Sequence, residues 1–304
     1  MDKIILIAGP TGVGKTAASV SVAKKVGGEI ISADSMQIYR KMDIGTAKIM
    51  PDEMKGIPHH LIDIVEPDED FSVKDFDDLS KAAIKEISGR SKTPVVAGGT
   101  GLYINSIVYD MDYNKVTTDS EFRNELWKYY EEKGTDELYN ILLKHDPETK
   151  IEKQNIKRVI RAIEIIKNNG EFRQFSNMKK NSMYDIRMYV LYRERSKLYE
   201  IINLRVDHMI KSGLVDEVRS LLGDGLDKSC QSMKAIGYRQ IISYLEGEYD
   251  LDTAIELIKR DSRRYAKRQL TWFRRYENAV WINVDSINTE QISDFIIKEA
   301  TIDK

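Results

Sequence analysis

The residues best suited to chemistry come early in the chain. Gly9-Pro10-Thr11-Gly12-Val13-Gly14-Lys15-Thr16 keeps the spacing G-x-x-x-x-G-K-[ST] and directly follows the apolar run Ile4, Ile5, Leu6, Ile7, Ala8. A strand feeding a glycine-rich turn and then a helix builds an anion nest. Backbone N–H groups and the helix N-terminus point at phosphate oxygens, Lys15 adds a point charge, and Thr16 offers a hydroxyl to Mg²⁺. The pattern specifies a polyphosphate group and leaves open which molecule carries it.

Further positions join this loop if the strands are parallel, because the carboxyl ends of such strands converge on the ligand side. Asp34 follows a second apolar segment, residues 29–32, and reads either as a general base or as a loop aspartate capping a turn. With Ser35 it is also placed to hold a Mg²⁺-bound water. Thr100 is the hydroxyl within Gly98-Gly99-Thr100-Gly101, where the glycines imply either close backbone approach to a ligand or a plain tight turn. Arg205 shares a helical stripe with Leu198, Ile202 and Met209. A cation on an apolar face needs a partner, either a carboxylate or a ligand anion such as a diphosphate. His59-His60 has only His145 and His208 for company, so a structural role is expected there rather than metal ligation.

Positioning these groups requires an α/β fold. Apolar segments at residues 3–8, 29–32 and 94–97 end in Gly-Pro, Ala-Asp and Gly-Gly, and helical patterns at 16–26 and 76–87 separate them. That alternation predicts a parallel sheet of the P-loop NTPase type. Strand candidates return at 186–192 and 279–284, with long helical regions at 197–222 and 251–276 between them. Residues 112–185 lack a convincing strand, so the expected organisation is a core of 1–111 and 186–304 with C-terminal helices and a helical insertion domain at 112–185. No apolar run ends in an aspartate of the Walker B kind, which weakens the case for an ATP-driven motor.

Composition narrows the function classes. With 41% hydrophobic and 32% charged residues the chain is neither a disordered polar tract nor a membrane protein, and no apolar stretch approaches the roughly 20 residues of a spanning helix. The single cysteine, Cys230, rules out an internal disulfide and a cysteine-rich zinc site. A cytoplasmic protein without membrane contact is expected. Lys and Arg total 47 against 49 acids, a net charge of −2, so any nucleic-acid surface must be local. Two helices offer one. Between residues 259 and 275 eight basic side chains, Arg263 and Lys267 among them, occupy half of the helical circumference against the single acid Asp261. Residues 155–167 pack through Ile156, Val159, Ile160 and Ile163 and turn Lys157, Arg158 and Arg161 outward, with Asn155 as N-cap and Asn168-Asn169-Gly170 as the stop.

Taken in order, the P-loop at 9–16, Ser32-Ala33-Asp34-Ser35 through Tyr39, Asp43-Ile44-Gly45-Thr46-Ala47-Lys48, His59-His60-Leu61-Ile62-Asp63, Gly98 to Tyr103, Arg158 to Glu164, Gly237-Tyr238-Arg239-Gln240 and Arg264 to Arg274 resemble the bacterial transfer RNA dimethylallyltransferases. Members of that family transfer an isopentenyl group to N6 of the adenosine immediately 3′ of the anticodon, position 37. The resemblance covers nearly the whole chain. It implies that Gly9 to Thr16 hold the diphosphate of dimethylallyl diphosphate with Mg²⁺ at Thr16, although loops of this kind are commonly labelled nucleotide- or ATP-binding. It also implies that Asp34 is the base at adenine N6, that Thr100 lies in the reaction channel and that Arg205 faces the diphosphate. Contacts to the transfer RNA anticodon stem-loop would come from Asp34, Ser35, Met36, Gln37, Thr100, Arg123, Lys157, Arg158 and Arg161, with Arg263 and Lys267 added by the basic face. A monomer is expected. One departure falls at Asp261-Ser262-Arg263-Arg264, where the family often carries Thr and Gln, and it leaves the pairing of Arg264 open.

Three rivals share parts of this pattern. A small-molecule kinase would also place a P-loop after the first strand and an aspartate after the second. A non-catalytic P-loop RNA-binding protein would use the basic helices without Asp34 and Thr100. An isopentenyltransferase acting on free adenylate would need neither the insertion nor two basic helices.

Overall fold

The computed structural model describes residues 2–111, 120–167 and 179–301. Strands β1 (Asp2–Ala8), β2 (Glu29–Ala33), β3 (His59–His60), β4 (Pro94–Gly98), β5 (Tyr184–Tyr192) and β6 (Val280–Asn283) form a six-stranded sheet in the order β3-β2-β4-β1-β5-β6. Every neighbouring pair is parallel. The central strand β1 buries Ile4 to Ile7 in succession, as a strand covered on both faces must. The helices in chain order are α1 (Lys15–Val26), α2 (Pro51–Met54), α3 (Val73–Gly89), α4 (Gly101–Val108), α5 (Ser120–His145), α6 (Ile156–Lys167), α7 (Arg195–Lys211), α8 (Leu214–Gly223), α9 (Tyr238–Leu245), α10 (Leu251–Phe273) and α11 (Thr289–Thr301).

The chain divides into two compact units, Tyr109–Lys180 and the remainder. In the smaller unit α5 and α6 pack Leu126, Leu138 and Leu142 with Val159, Ile160 and Ile163. Asn155 caps α6 by accepting from the Arg158 amide at 3.4 Å. The stop expected at Asn168-Asn169-Gly170 lies outside the described residues. In the larger unit Ile5, Ile7, Val22, Ile30 and Val95 join Ile202, Ile292 and Ile296 in one core.

Sequence and structure differ in four places. β5 begins at Tyr184, two residues inside the stretch expected to be insertion. The helical region 197–222 is two helices, because Gly213 takes a left-handed φ of 99° and caps α8 while the Ser212 amide closes α7 on the His208 carbonyl. β3 is only two residues long, too short for any periodicity to show. α9 and α11 were not anticipated either. Among the described residues no helix is long and apolar enough to cross a membrane.

Candidate active site

Register gathers the predicted positions. Ala8 and Ala33 both pair with Gly98, so the P-loop, Asp34 and the Gly99-Thr100 turn leave three adjacent strands at one sheet edge. A cleft of about 380 Å³ opens there, lined by Thr11, Lys15, Thr16, Asp34, Ser35, Met36, Gln37 and Arg205 on its polar side. Ile30, Ile49, Ile62, Ala97, Ile202 and Val206 supply an apolar wall.

The anion nest is built and left without an internal anion. Gly14 is the N-cap of α1 in the left-handed region (φ 103°), it makes no side-chain cap, and no acid occupies the first turn. Neither a side-chain cap nor a first-turn acid meets the N–H groups of that turn. Lys15 curls over the loop and donates to the Pro10 carbonyl at 2.9 Å. Burial pushes its ammonium down to about 8 against the opposing pull of Asp34, and Arg205 adds to the depression. Burial also lowers Arg205, again opposed by Asp34. Among the described residues no carboxylate lies within ion-pair distance of Arg205; its Nη2 donates to the Thr46 carbonyl at 3.3 Å.

Asp34 closes a turn and also faces the cleft. Its Oδ1 accepts from the Met36 amide at 2.9 Å, closing the turn, while the carboxylate still lines the cleft. Thr100 Oγ1 accepts from the Ser35 amide at 3.0 Å and donates to Ser35 Oγ at 3.3 Å, fixing the turn after β4 to the loop after β2. The Tyr265 phenol lines the same cleft, and burial, then the charge of Asp34, raises it to about 12.

The remaining motif residues hold the wall of the cleft. The Glu217 carboxylate accepts from the amides of Asp43, Ile44 and Gly45 at 2.9, 2.8 and 3.1 Å and from the Tyr238 hydroxyl at 2.6 Å. Lys48 is buried and pairs with Asp43 at 2.7 Å and with Asp63. Gln37 donates to the Ala47 carbonyl at 3.3 Å. Together these bonds present Thr46 to Arg205. Of the two adjacent histidines, His60 Nε2 lies 2.7 Å from Glu29 Oε2, and His59 Nδ1 donates to the Ile57 carbonyl at 2.8 Å. Among the described residues no three metal-ligating side chains cluster.

Charge counting missed how many basic residues are already committed. On α10, Lys259 pairs with Asp207 at 2.8 Å, and Arg263 donates to Asn203 at 2.6 Å. Asp261 draws Arg260 at 3.0 Å and Arg239 at 2.7 Å, with Arg264 at 3.9 Å. Lys267, Arg268 and Arg274 are exposed. In the smaller unit Arg123 and Arg161 both bind the fully buried Glu164, at 2.7 and 2.9 Å, whereas Lys157 and Arg158 are exposed. Sequence reasoning also missed Gln269, which accepts from the Thr11 amide and donates to the Gly99 carbonyl, both at 2.9 Å. The available signal was an amide on the apolar stripe of α10.

Comparison with known proteins decides the family. The IPP transferase family model matches residues 37–276. The chain belongs to the IPP transferase family. The tRNA dimethylallyltransferase of Alkaliphilus oremlandii (strain OhILAs) is 51% identical over 302 residues, covering 98% of this chain and 96% of its own length. That of Clostridioides difficile (strain 630) is 49% identical over 298 residues, with 97% and 96% covered. The crystal structure of the full-length tRNA isopentenylpyrophosphate transferase from Bacillus halodurans superposes with a TM-score of 0.76 at 45% identity, over 99% of this chain and 97% of that one. A eukaryotic dimethylallyltransferase acting on tRNA gives 0.80 at 29% identity, over 100% and 81%. The family model starts after the P-loop and Asp34, but these relatives extend across both.

Proposed function

We propose that this IPP transferase family member transfers a dimethylallyl group from dimethylallyl diphosphate to N6 of the adenosine immediately 3′ of the anticodon, position 37, in tRNA and releases diphosphate. The observation that carries this reading is the pair of desolvated cations, Lys15 and Arg205, set beside a helix N-terminus without a side-chain cap, with no carboxylate at ion-pair distance from Arg205 among the described residues. Such an arrangement is complementary to a diphosphate, and most of all to one gaining charge as it leaves. The adjoining apolar wall suits a short prenyl chain.

The chemistry follows from the residues. Adenine N6 is a weak nucleophile because its lone pair is delocalised into the ring, so an acceptor must take its proton as the C–N bond forms. Asp34, at the mouth of the nest, is that acceptor. Thr100, held against Ser35, guides the amine in the channel. The P-loop residues Gly9, Pro10, Thr11, Gly12, Val13, Gly14, Lys15 and Thr16 hold the leaving diphosphate from one side and Arg205 from the other. Thr16 lines the cleft and its hydroxyl fits Mg²⁺, whose remaining ligands would be phosphate oxygens and water. When bound, the ion supplies charge neutralisation to the diphosphate.

The target base must leave the loop to reach the cleft, so other residues must grip the RNA. Ser35, Met36 and Gln37 line the cleft beside Asp34. Lys267 on α10 and Lys157 and Arg158 on α6 offer exposed charge to phosphates. Arg123, Arg161 and Arg263 would bind RNA with the guanidinium faces that Glu164 and Asn203 leave open. In this reading the protein acts as a monomer in the cytoplasm, where tRNA is its partner. A kinase is the reading this excludes by outcome: incubated with dimethylallyl diphosphate, Mg²⁺ and an anticodon stem-loop, the protein should add one dimethylallyl mass to the RNA, with pyrophosphate released in step and ATP dispensable. ATP-dependent phosphate transfer with unmodified adenine would replace this function with the kinase.

A further inference from the structure

Gln269 is a buried amide that the chemistry above does not use. It projects from α10 between two loops that belong to different halves of the reaction. Its Oε1 accepts from the amide of Thr11 in the P-loop, and its Nε2 donates to the carbonyl of Gly99, the residue before Thr100. Tyr265, one turn earlier on α10, lines the same cleft. The fit is close. A Cβ built on Gly99 would sit 2.2 Å from Gln269 Nε2, so this glycine leaves room for the amide and nothing more. Gly99 does not need a left-handed backbone, because its φ is not among the positive ones. Its lack of a side chain therefore serves the contact.

We propose that Gln269 is a positioning residue that sets the distance between the diphosphate-holding loop and the acceptor-side loop carrying Thr100. An amide does this better than any other side chain of its length. It has an acceptor for the Thr11 N–H and a donor for the Gly99 carbonyl, and swapping either end for a charge or a methyl leaves a buried backbone group unmatched. Each loop can still bind its own substrate without the bridge. What is lost is the alignment of donor carbon and N6, and small misplacements at this stage cost rate rather than affinity. This inference rests on the transferase reading.

The test is a double-mutant cycle on Gln269→Ala and Gly99→Ala, with steady-state kinetics in both substrates and a thermal melt for each protein. Gln269→Ala should lower kcat by roughly 10–100-fold, with KM for donor and for stem-loop within about threefold. Gly99→Ala should lower kcat similarly by pushing the amide away. Adding Gly99→Ala to Gln269→Ala should cost little more, because the obstructing amide is gone. If Gln269→Ala fails to fold, folded Gly99→Ala still decides: a wild-type kcat there overturns the proposal. So does an additive cycle, or a lowered melting temperature with unchanged kcat. A wild-type protein that transfers no prenyl group at all would instead remove the transferase reading itself, which keeps the two failures apart.

Discussion

The two ends of strand β2 handle charge in opposite ways. At the amino end Glu29 is buried, and His60, Arg90 and Lys92 surround it at 2.7, 2.7 and 2.8 Å. Burial alone would raise its pKa, yet hydrogen bonds from Lys92 and His60 and the charge of Arg90 hold it down at about 2. At the carboxyl end Lys15 and Arg205 are desolvated beside Asp34, burial dominates, and both are depressed. Compensated charge stabilises the fold. Uncompensated cations cost stability and are retained where a ligand anion supplies the missing partner. The contrast distinguishes structure from function within one strand.

Substitutions should divide along the same line, beginning with the largest effect. Asp34→Ala should lower turnover by roughly 10²–10⁴-fold with stem-loop affinity nearly unchanged, since a general base acts mainly in the transition state. A near-normal rate would take Asp34 out of the mechanism. Lys15→Ala should weaken donor use by about 2–5 kcal/mol, the range for a lost buried charge contact, as read from kcat/KM for the donor. At the other end, Glu29→Gln should leave kinetics alone and destabilise the chain by about 3 kcal/mol, measured by denaturant unfolding.

Acid and base should act on opposite ends as well. Glu29 has a folded pKa below its ordinary value of 4.5, so its contribution is complete above 4.5 and is lost as pH falls toward about 2. Lys15 has a folded pKa of about 8, below 10.5, so the unfolded chain binds more protons between those values and stability rises there with pH. Donor affinity should move the other way, falling above about 8 as the ammonium loses its charge. Followed from pH 7 to 10, melting temperature and donor KM should rise together, and a donor KM that stays flat or falls over that range would contradict the account.

The smallest expected effect concerns RNA. Lys267→Glu should reduce the slope of log affinity against log salt by about one to two charges' worth. Arg161→Ala should act first on stability, because it leaves the buried Glu164 short of a partner. A salt slope unchanged by Lys267→Glu would remove α10 from the phosphate contacts.

Much of this site was legible in the sequence, for physical reasons. The P-loop is local, so its spacing alone reports it, and a strand ending in Asp34 or Gly98 announces its edge once the sheet is known to be parallel. Arg205 stood out because a cation on an apolar stripe demands a partner. Glu217 gave no such signal, since its bonds reach back 172 to 174 residues to backbone amides that have no side-chain signature. The eight basic residues on and just beyond α10 looked alike in a helical projection, and it takes the neighbouring Asp207 and Asn203 on α7 to show that Lys259 and Arg263 are occupied. Gly213 split a helix that periodicity read as continuous, because an i to i+3 pattern survives on both sides of the break.

The most direct test of the central contrast is a thermal melt of Arg205→Ala with and without inorganic pyrophosphate and Mg²⁺. If Arg205 is an uncompensated cation awaiting a ligand, the variant alone should melt at or above the wild-type temperature, and the upward shift that pyrophosphate gives the wild type should be largely lost. A variant that melts well below the wild type while keeping the full pyrophosphate shift would show that Arg205 serves the fold, and the account of this end of β2 would be wrong.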